Sequence, residues 1–125
     1  MQPYVKKADF SNEYYFGEGC YITELSNSDD DPGLSIARAR VEPGVTTQLH
    51  ELIGTVERYV ILEGEGLIDV GNLSPQAIRP CDVVIIPSGC MQKISNTGAS
   101  DLIFLAICSP RFQKSCFQEI VEPTL

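Results

Sequence analysis

The chain has 125 residues, of which 43% are apolar, and its formal net charge at pH 7 is −8. This length suits one domain, residues 1–125, built around one hydrophobic core. Only nine lysines and arginines are present, and they are not clustered, which argues against a nucleic-acid partner because phosphate contacts need clustered positive charge.

The chain also lacks targeting and membrane signals. Residues 1–7 contain no apolar stretch of the kind found in signal peptides, so no leader is expected. The longest apolar runs, such as residues 103–108, are far shorter than a membrane span, so no membrane partner is expected. The chain has five cysteines without a Cys-x-x-Cys pair, which predicts reduced thiols in a cytoplasmic protein.

Short strand-like segments follow one another along the chain, separated by turn signals. Residues 4–10 are predicted to form an edge strand, which can pair with a second copy of the chain. Residues 115–121 are predicted to form a short C-terminal helix. This pattern is typical of an all-β sandwich or barrel. The core strands are predicted at residues 20–25, 34–42, 45–52, 57–62, 67–70, 83–86, 92–95 and 102–108.

A first regularly spaced motif lies within residues 44–64. Gly44 is followed by five residues and His50, and four residues separate Leu52 from Glu57, which six further residues separate from Gly64. This spacing resembles the first motif of the cupin family. Leu52 stands where that motif has its second histidine.

A second motif lies within residues 81–96 and resembles the second cupin motif. Pro87, Gly89 and Asn96 are in register with it, Cys81 takes the place of a glycine, and Gln92 takes the place of a histidine. The two resemblances imply a double-stranded β-helix, that is, a cupin-like jelly-roll barrel. They leave the chemistry open, because one fold carries many functions.

In the family, the corresponding positions bind a divalent metal through three imidazoles and one carboxylate. The resemblance therefore implies His50, Glu57 and Gln92 as metal ligands. Gln48 is a further candidate, since residues two apart on a strand share a face. An imidazole suits nickel, zinc or iron, and oxygen ligands suit manganese. Nickel or zinc is therefore expected first. Leu52 cannot bind a metal and would make one wall of the predicted site apolar.

Three residues are candidates for catalysis. Glu57 faces the predicted interior, and Tyr59 on the same face is either a general acid or a packed core tyrosine. Cys90 is either a nucleophile near the pocket mouth or a small buried apolar residue. Arg38 and Arg40 would suit a carboxylate ligand if they faced inward, but they are expected to lie on the outer surface.

Three functions follow from these observations. The first is a metal-dependent cupin that acts on a small polar metabolite as an isomerase, lyase or oxygenase. The second is a metal-free small-molecule-binding or sensory barrel, and the third is a structural dimer module. A homodimer is expected from the predicted edge strand and from the family resemblance. No nucleotide cofactor is expected, because the chain has no glycine-rich phosphate loop and no dinucleotide fingerprint.

Overall fold

The computed structural model describes residues 1–17 and 19–122, and within them the chain forms eleven β-strands and two 3₁₀ turns. The 3₁₀ turns are Phe10–Asn12 and Lys114–Cys116. The strands are β1 (Tyr14–Phe16), β2 (Cys20–Ser26), β3 (Ser35–Val41), β4 (His50–Leu52), β5 (Val56–Glu63), β6 (Gly66–Val70), β7 (Gln76–Ile78), β8 (Val83–Ile86), β9 (Gln92–Asn96), β10 (Leu102–Ser109) and β11 (Phe117–Glu119).

The strands pair into two antiparallel sheets. One has six strands in the order β1-β2-β3-β10-β5-β8, and the other has five in the order β11-β4-β9-β6-β7. Residues of both sheets meet in one apolar core, with Ile61 of β5 packed in the same cluster as Ile68 and Ile94 of the other sheet. This double-sheet arrangement is the jelly roll that the sequence predicts. None of the helical turns among the described residues has the length and apolar character to span a membrane.

Strand β5 shows how the sequence places the inner side chains. Glu57, Tyr59 and Ile61 are buried and alternate with the partly exposed Arg58 and Val60. Successive side chains on a strand point to opposite faces. A carboxylate and a phenol are therefore carried to the interior by the same alternation that builds the core.

Two turn positions of the motifs carry a left-handed backbone. Gly64 has φ +83°, and a Cβ there would lie 2.6 Å from the carbonyl oxygen of Asp101. Cys81 has φ +77°, a conformation that glycine adopts without strain. The position where the cupin motif has glycine therefore keeps the glycine backbone even though the residue is cysteine.

Asn96, the last residue of the second motif, holds the turn between β9 and β10. Its side-chain nitrogen donates to the carbonyl oxygens of Val41 at 2.9 Å and Ser100 at 2.8 Å. Its side-chain oxygen accepts from the backbone N–H of Gly98 at 2.9 Å. Because Asn96 is buried, these bonds satisfy polar groups that water cannot reach.

The predicted edge strand at residues 4–10 is wrong. Residues 1–9 belong to no strand, and a 3₁₀ turn starts at Phe10. Instead of pairing along a sheet edge, the segment is held by side-chain hydrogen bonds, among them one from the Tyr4 hydroxyl to Asp30 at 2.7 Å. The six-stranded sheet begins at β1 instead, so the predicted strand no longer supports a dimer.

The predicted C-terminal helix at residues 115–121 is also wrong. A single 3₁₀ turn is followed by β11, which pairs antiparallel with β4 so that Phe117 faces Leu52. A seven-residue helix is marginal on its own, whereas the edge of the five-stranded sheet offers backbone partners. The predicted strand at 45–52 shortens to β4 for a related reason, since Thr46 makes only an isolated bridge.

Candidate functional site

A cavity of about 70 Å³ lies between the sheets, against the inner faces of β2, β3, β5 and β10. This is room for several water-sized groups, or for part of a small ligand that extends to the opening. Its polar lining groups include Glu24, Ser35, His50, Glu57, Tyr59 and Cys108. Its aromatic lining consists of Tyr14, Phe16, Phe104, Phe112 and Phe117 together with Tyr59.

His50 is held in one orientation at this cavity. It is buried at the start of β4, and its Nδ1 donates to the carbonyl oxygen of Gln48 at 2.8 Å. Its ring stacks on Phe117, with centroids 4.9 Å apart and planes inclined by 25°. When the imidazole is neutral, the bond to the carbonyl keeps the proton on Nδ1. Nε2 is then the nitrogen that can accept a proton.

Glu57 lies beside Cys108, because β5 and β10 pair with these residues opposite each other. The Cys108 thiol donates to Oε2 of Glu57 at 3.8 Å. Burial raises the pKa of the Cys108 thiol well above its usual range, and the neighbouring Glu57 charge adds to the effect. Cys108 therefore stays protonated and acts as a hydrogen-bond donor, since the nucleophilic form of cysteine is the thiolate.

Tyr59 and Gln92 form a buried pair at the back of the cavity. The Tyr59 hydroxyl donates to Oε1 of Gln92, and its ring packs against Phe104 with centroids 4.4 Å apart. Gln92 is 0% exposed and does not line the cavity, and its Nε2 makes no hydrogen bond with the described residues. Gln92 thus acts on the cavity through Tyr59, whose hydroxyl it orients.

The structure does not bring Gln48 and Cys90 to the cavity. Gln48 is exposed, and its Nε2 donates to the carbonyl oxygen of Ile120 at 3.3 Å. Gln48 does not share a face with His50, because β4 begins only at His50 and the alternation of side chains holds only within the strand. Cys90 likewise lies in the turn before β9 rather than on the strand. Leu52 does line the cavity and makes one wall apolar, as expected.

Arg38 and Arg40 lie on the outer face, as expected. Arg40 donates to Glu13 at 2.7 Å and to Asp101 at 3.3 Å, and its guanidinium stacks over the ring of Tyr21. The hydrogen bond from Arg40 holds the pKa of Glu13 below its ordinary value. Neither arginine lines the cavity, so neither offers a charge to a ligand there.

Two cavity residues that the sequence analysis missed, Tyr14 and Glu24, are exposed and lie at the cavity opening, here called the rim. The Tyr14 hydroxyl donates to Oε1 of Glu24 at 3.4 Å. Partial burial raises the pKa of Glu24, and burial together with the Glu24 charge raises the pKa of Tyr14 to about 12. The alternation of Cys20, Ile22 and Glu24 along β2 was a signal that could have found this carboxylate.

The groups that line the cavity supply few ligands for a divalent metal. Of the four predicted ligands, only His50 and Glu57 line the cavity, since Gln48 is exposed and Oε1 of Gln92 is engaged by Tyr59. Among the described residues, no group of three or more His, Cys, Asp or Glu side chains can hold a metal ion. Protein metal sites generally supply at least three ligands, so the residues present do not form a complete metal site.

No family model matches the chain. The oxalate-binding protein of Thermotoga maritima is 43% identical over 72 residues, which are 57% of this chain and 58% of that protein. A solved structure of a predicted oxalate decarboxylase from Thermotoga maritima is 32% identical and has a TM-score of 0.67, covering 73% of this chain and 80% of that chain. A conserved Klebsiella pneumoniae protein with a double-stranded β-helix domain has a TM-score of 0.72 at 16% identity, covering 87% and 90% of the two chains.

These likenesses agree with the architecture of the two sheets. The chain is a double-stranded β-helix barrel with a small-molecule cavity between its sheets. It belongs to the cupin superfamily, as the 32% identity over 80% of the solved Thermotoga maritima structure shows. The match to the oxalate-binding protein spans little more than half of that protein.

Proposed function

We propose that the chain is a small-molecule-binding cupin that works without a metal. One observation carries the proposal: His50, Glu57 and Tyr59 line one aromatic-walled cavity, and the described residues contain no group of three or more His, Cys, Asp or Glu side chains that can hold a metal. Ligand pockets are typically apolar with a few well-placed polar groups, and this cavity has that composition. Glu57 and Tyr59 would anchor the ligand, and His50 would exchange a hydrogen bond or a proton with it.

The support for this role is the fixed geometry of the polar groups. The bond to the Gln48 carbonyl and the stacking on Phe117 hold the His50 ring, and Gln92 holds the Tyr59 hydroxyl. Side chains that are ordered before binding lose little entropy when a ligand arrives. The names of the oxalate-binding and oxalate-decarboxylase relatives also support a small molecule as the ligand of this chain.

A metal-dependent enzyme is the second candidate function. It is favoured by the presence of His50 and Glu57 on the same cavity, at positions where the cupin resemblance implies metal ligands. Nickel or zinc would be expected first, then iron or manganese, with ligand or water completing the coordination. An isomerase, lyase or oxygenase reaction would then depend on the added metal.

Metal content and ligand-induced stabilisation distinguish the two candidates. Untagged protein is analysed for bound metals and then screened by thermal shift against small metabolites in the presence of EDTA. The metal-free proposal predicts substoichiometric metal and at least one stabilising metabolite, whose effect is lost in His50→Gln and Glu57→Gln. Glu63→Gln is the matched control, because Glu63 lies exposed at the end of the same strand as Glu57. Stoichiometric metal that disappears in His50→Gln would contradict the proposal.

We also propose that the protein forms a homodimer through β8. This strand is an edge of the six-stranded sheet, and its outward side chains Val83 and Ile85 are 55% and 65% exposed. An apolar edge strand without charged residues readily pairs with another strand, and antiparallel pairing with itself satisfies two-fold symmetry. Sedimentation equilibrium should show a dimer for the native chain and a monomer for Ile85→Lys, and a monomeric native chain would refute the proposal.

A reducing compartment such as the cytoplasm is proposed from the cysteines. All five are free thiols in the structure, and two of them are fully buried. Free thiols persist where glutathione and thioredoxin keep them reduced. Cell fractionation of the native host is the direct test, and recovery of the protein from an oxidising compartment with paired cysteines would contradict the proposal.

A further inference from the structure

The cavity is lined by carboxylates but by no lysine or arginine, and the His50 imidazole is the lining group that can carry a positive charge. The chain has nine lysines and arginines, every one of them within the described residues, and none lines the cavity. Two carboxylates, those of Glu24 and Glu57, do line it. Charges interact more strongly where protein replaces water. The excess of carboxylates over lysines and arginines therefore favours a negative electrostatic potential in the cavity.

Two arginines that are next to cavity residues in sequence bind other partners. Arg111 contacts Asp29 at 2.5 Å and Asn27 at 2.9 Å. Arg58, which lies between two cavity residues in sequence, faces the other side of β5 and donates to the hydroxyl of Ser109 at 2.6 Å. Neither guanidinium can neutralise the carboxylates of the cavity without giving up these bonds.

The walls of the cavity reinforce the same preference. Phe16 contacts both Phe112 and Phe117 edge to face, and Tyr14 brings a further ring to the rim beside Glu24. Aromatic rings carry negative charge on their faces and attract cations, whereas they offer nothing comparable to an anion. Rings and carboxylates around one small cavity together make a favourable environment for a positively charged group.

Building on the proposed function, we infer that the cavity takes a small organic cation, such as a primary or quaternary amine, in preference to a carboxylate. The ammonium group would lie against the carboxylates of Glu24 and Glu57, and its alkyl groups would lie against the rings. Oxalate is named for two related proteins, but a dianion here would face two carboxylates, with the single His50 imidazole and no lysine or arginine to offset them. The ligand class is therefore expected to differ from that of those relatives.

A charge series on one carbon chain tests this inference. Butylammonium, butanol and butyrate differ in charge at nearly constant shape, and oxalate is added as the ligand named for the relatives. Each is titrated calorimetrically into untagged protein at neutral pH with EDTA present. Butylammonium is expected to bind about tenfold more tightly than butanol, and butyrate and oxalate are expected not to bind.

Three variants locate the effect. Glu57→Gln is expected to bring the affinity for butylammonium close to that for butanol, and Glu24→Gln, at the rim, is expected to weaken it several-fold. Glu63→Gln removes one exposed carboxylate from the same strand and should leave both affinities unchanged. Circular dichroism confirms folding of each variant, and the rim variant tests the inference independently if Glu57→Gln does not fold.

The outcomes separate the inference from the proposed function. If butanol, butyrate or oxalate binds as tightly as butylammonium, and Tyr59→Phe weakens that binding, the cation preference is overturned and the binding function stands. If butylammonium binds tenfold more tightly but Glu63→Gln weakens it as much as Glu57→Gln does, the preference arises from overall charge and the inference is also overturned. If none of the probes binds, the cation inference is overturned, and the proposed function is decided by the metabolite screen described above.

Discussion

Replacing Cys81 by glycine is expected to stabilise the protein. Cys81 is exposed in the turn before β8, with φ +77°, and its backbone N–H donates to the carbonyl oxygen of Ile61 at 2.9 Å. A residue with a Cβ pays roughly 1–2 kcal/mol to adopt the left-handed conformation. Glycine adopts it without that cost and keeps the same backbone hydrogen bond, so the substitution removes strain without removing a contact.

The gain is partly offset in the unfolded chain. Glycine has more unfolded conformations to lose than other residues, which costs about 0.4–1 kcal/mol. The net expected gain for Cys81→Gly is therefore about 0.5–1 kcal/mol in the free energy of unfolding. With an unfolding entropy of about 2.1 cal/mol/K per residue, this corresponds to a rise of about 2–4 °C in Tm for a chain of this length.

The measurement is a urea titration and a thermal melt under reducing conditions. Cys81→Ala is the matched control, because it removes the thiol but keeps the Cβ, and it is expected to leave the stability nearly unchanged. Cys81→Asn should lie between alanine and glycine, since asparagine tolerates positive φ. If glycine is no more stable than alanine, the strain argument is refuted, and the thiol itself is responsible for any gain.

Three further predictions concern the fold and the site. Gly64→Ala would place a Cβ 2.6 Å from a backbone oxygen at φ +83°. We expect it to lower the free energy of unfolding, measured by urea titration, by about 2–4 kcal/mol. The control Gly33→Ala, whose Cβ would meet open space, should lower it by less than about 0.5 kcal/mol. Tyr59→Phe and Gln92→Met should each lower the free energy of unfolding by about 1–2 kcal/mol, because each removes one partner of the buried hydrogen bond between these residues. The double variant should cost about 1 kcal/mol less than the sum, and strict additivity would disprove the coupling. Glu13→Gln should cost about 0.5 kcal/mol at pH 7 after allowance for solvent screening. Because folding lowers the pKa of Glu13 below its ordinary 4.5, the difference between wild type and variant should be present above that pH and vanish as the pH falls through the lowered pKa. A difference that persists in acid would contradict the assignment.

The fold was predictable because its turns have local requirements. A left-handed position at Cys81, a close backbone approach at Gly64 and a hydrogen-bonding side chain at Asn96 are set by short stretches of chain. These positions keep their spacing independently of the residues inside the barrel. The cupin fold could therefore be identified although two of the family's metal-ligand positions hold Leu52 and Gln92.

The site was predictable only where residues lie within regular strands. Glu57 and Tyr59 fall inside β5, and the two-residue alternation brought both to the cavity. Gln48 and Cys90 lie just outside β4 and β9, so the same reasoning failed for them. The contribution of Cys108 depends on pairing between β5 and β10, which are far apart in the chain, and no local pattern reports such a contact.

The most direct test of the central claim is the change in Tm when Zn²⁺ or Ni²⁺ is added to untagged, EDTA-treated protein and to its His50→Gln variant. A metal bound at His50 and present at a hundred times its Kd would stabilise the folded chain by about 2.7 kcal/mol, or about 10 °C for this length. The metal-free account predicts the same small change in both proteins, whatever the thiols bind. A stabilisation of that size in the native chain that is absent from His50→Gln would contradict the account and establish a metal-dependent cupin.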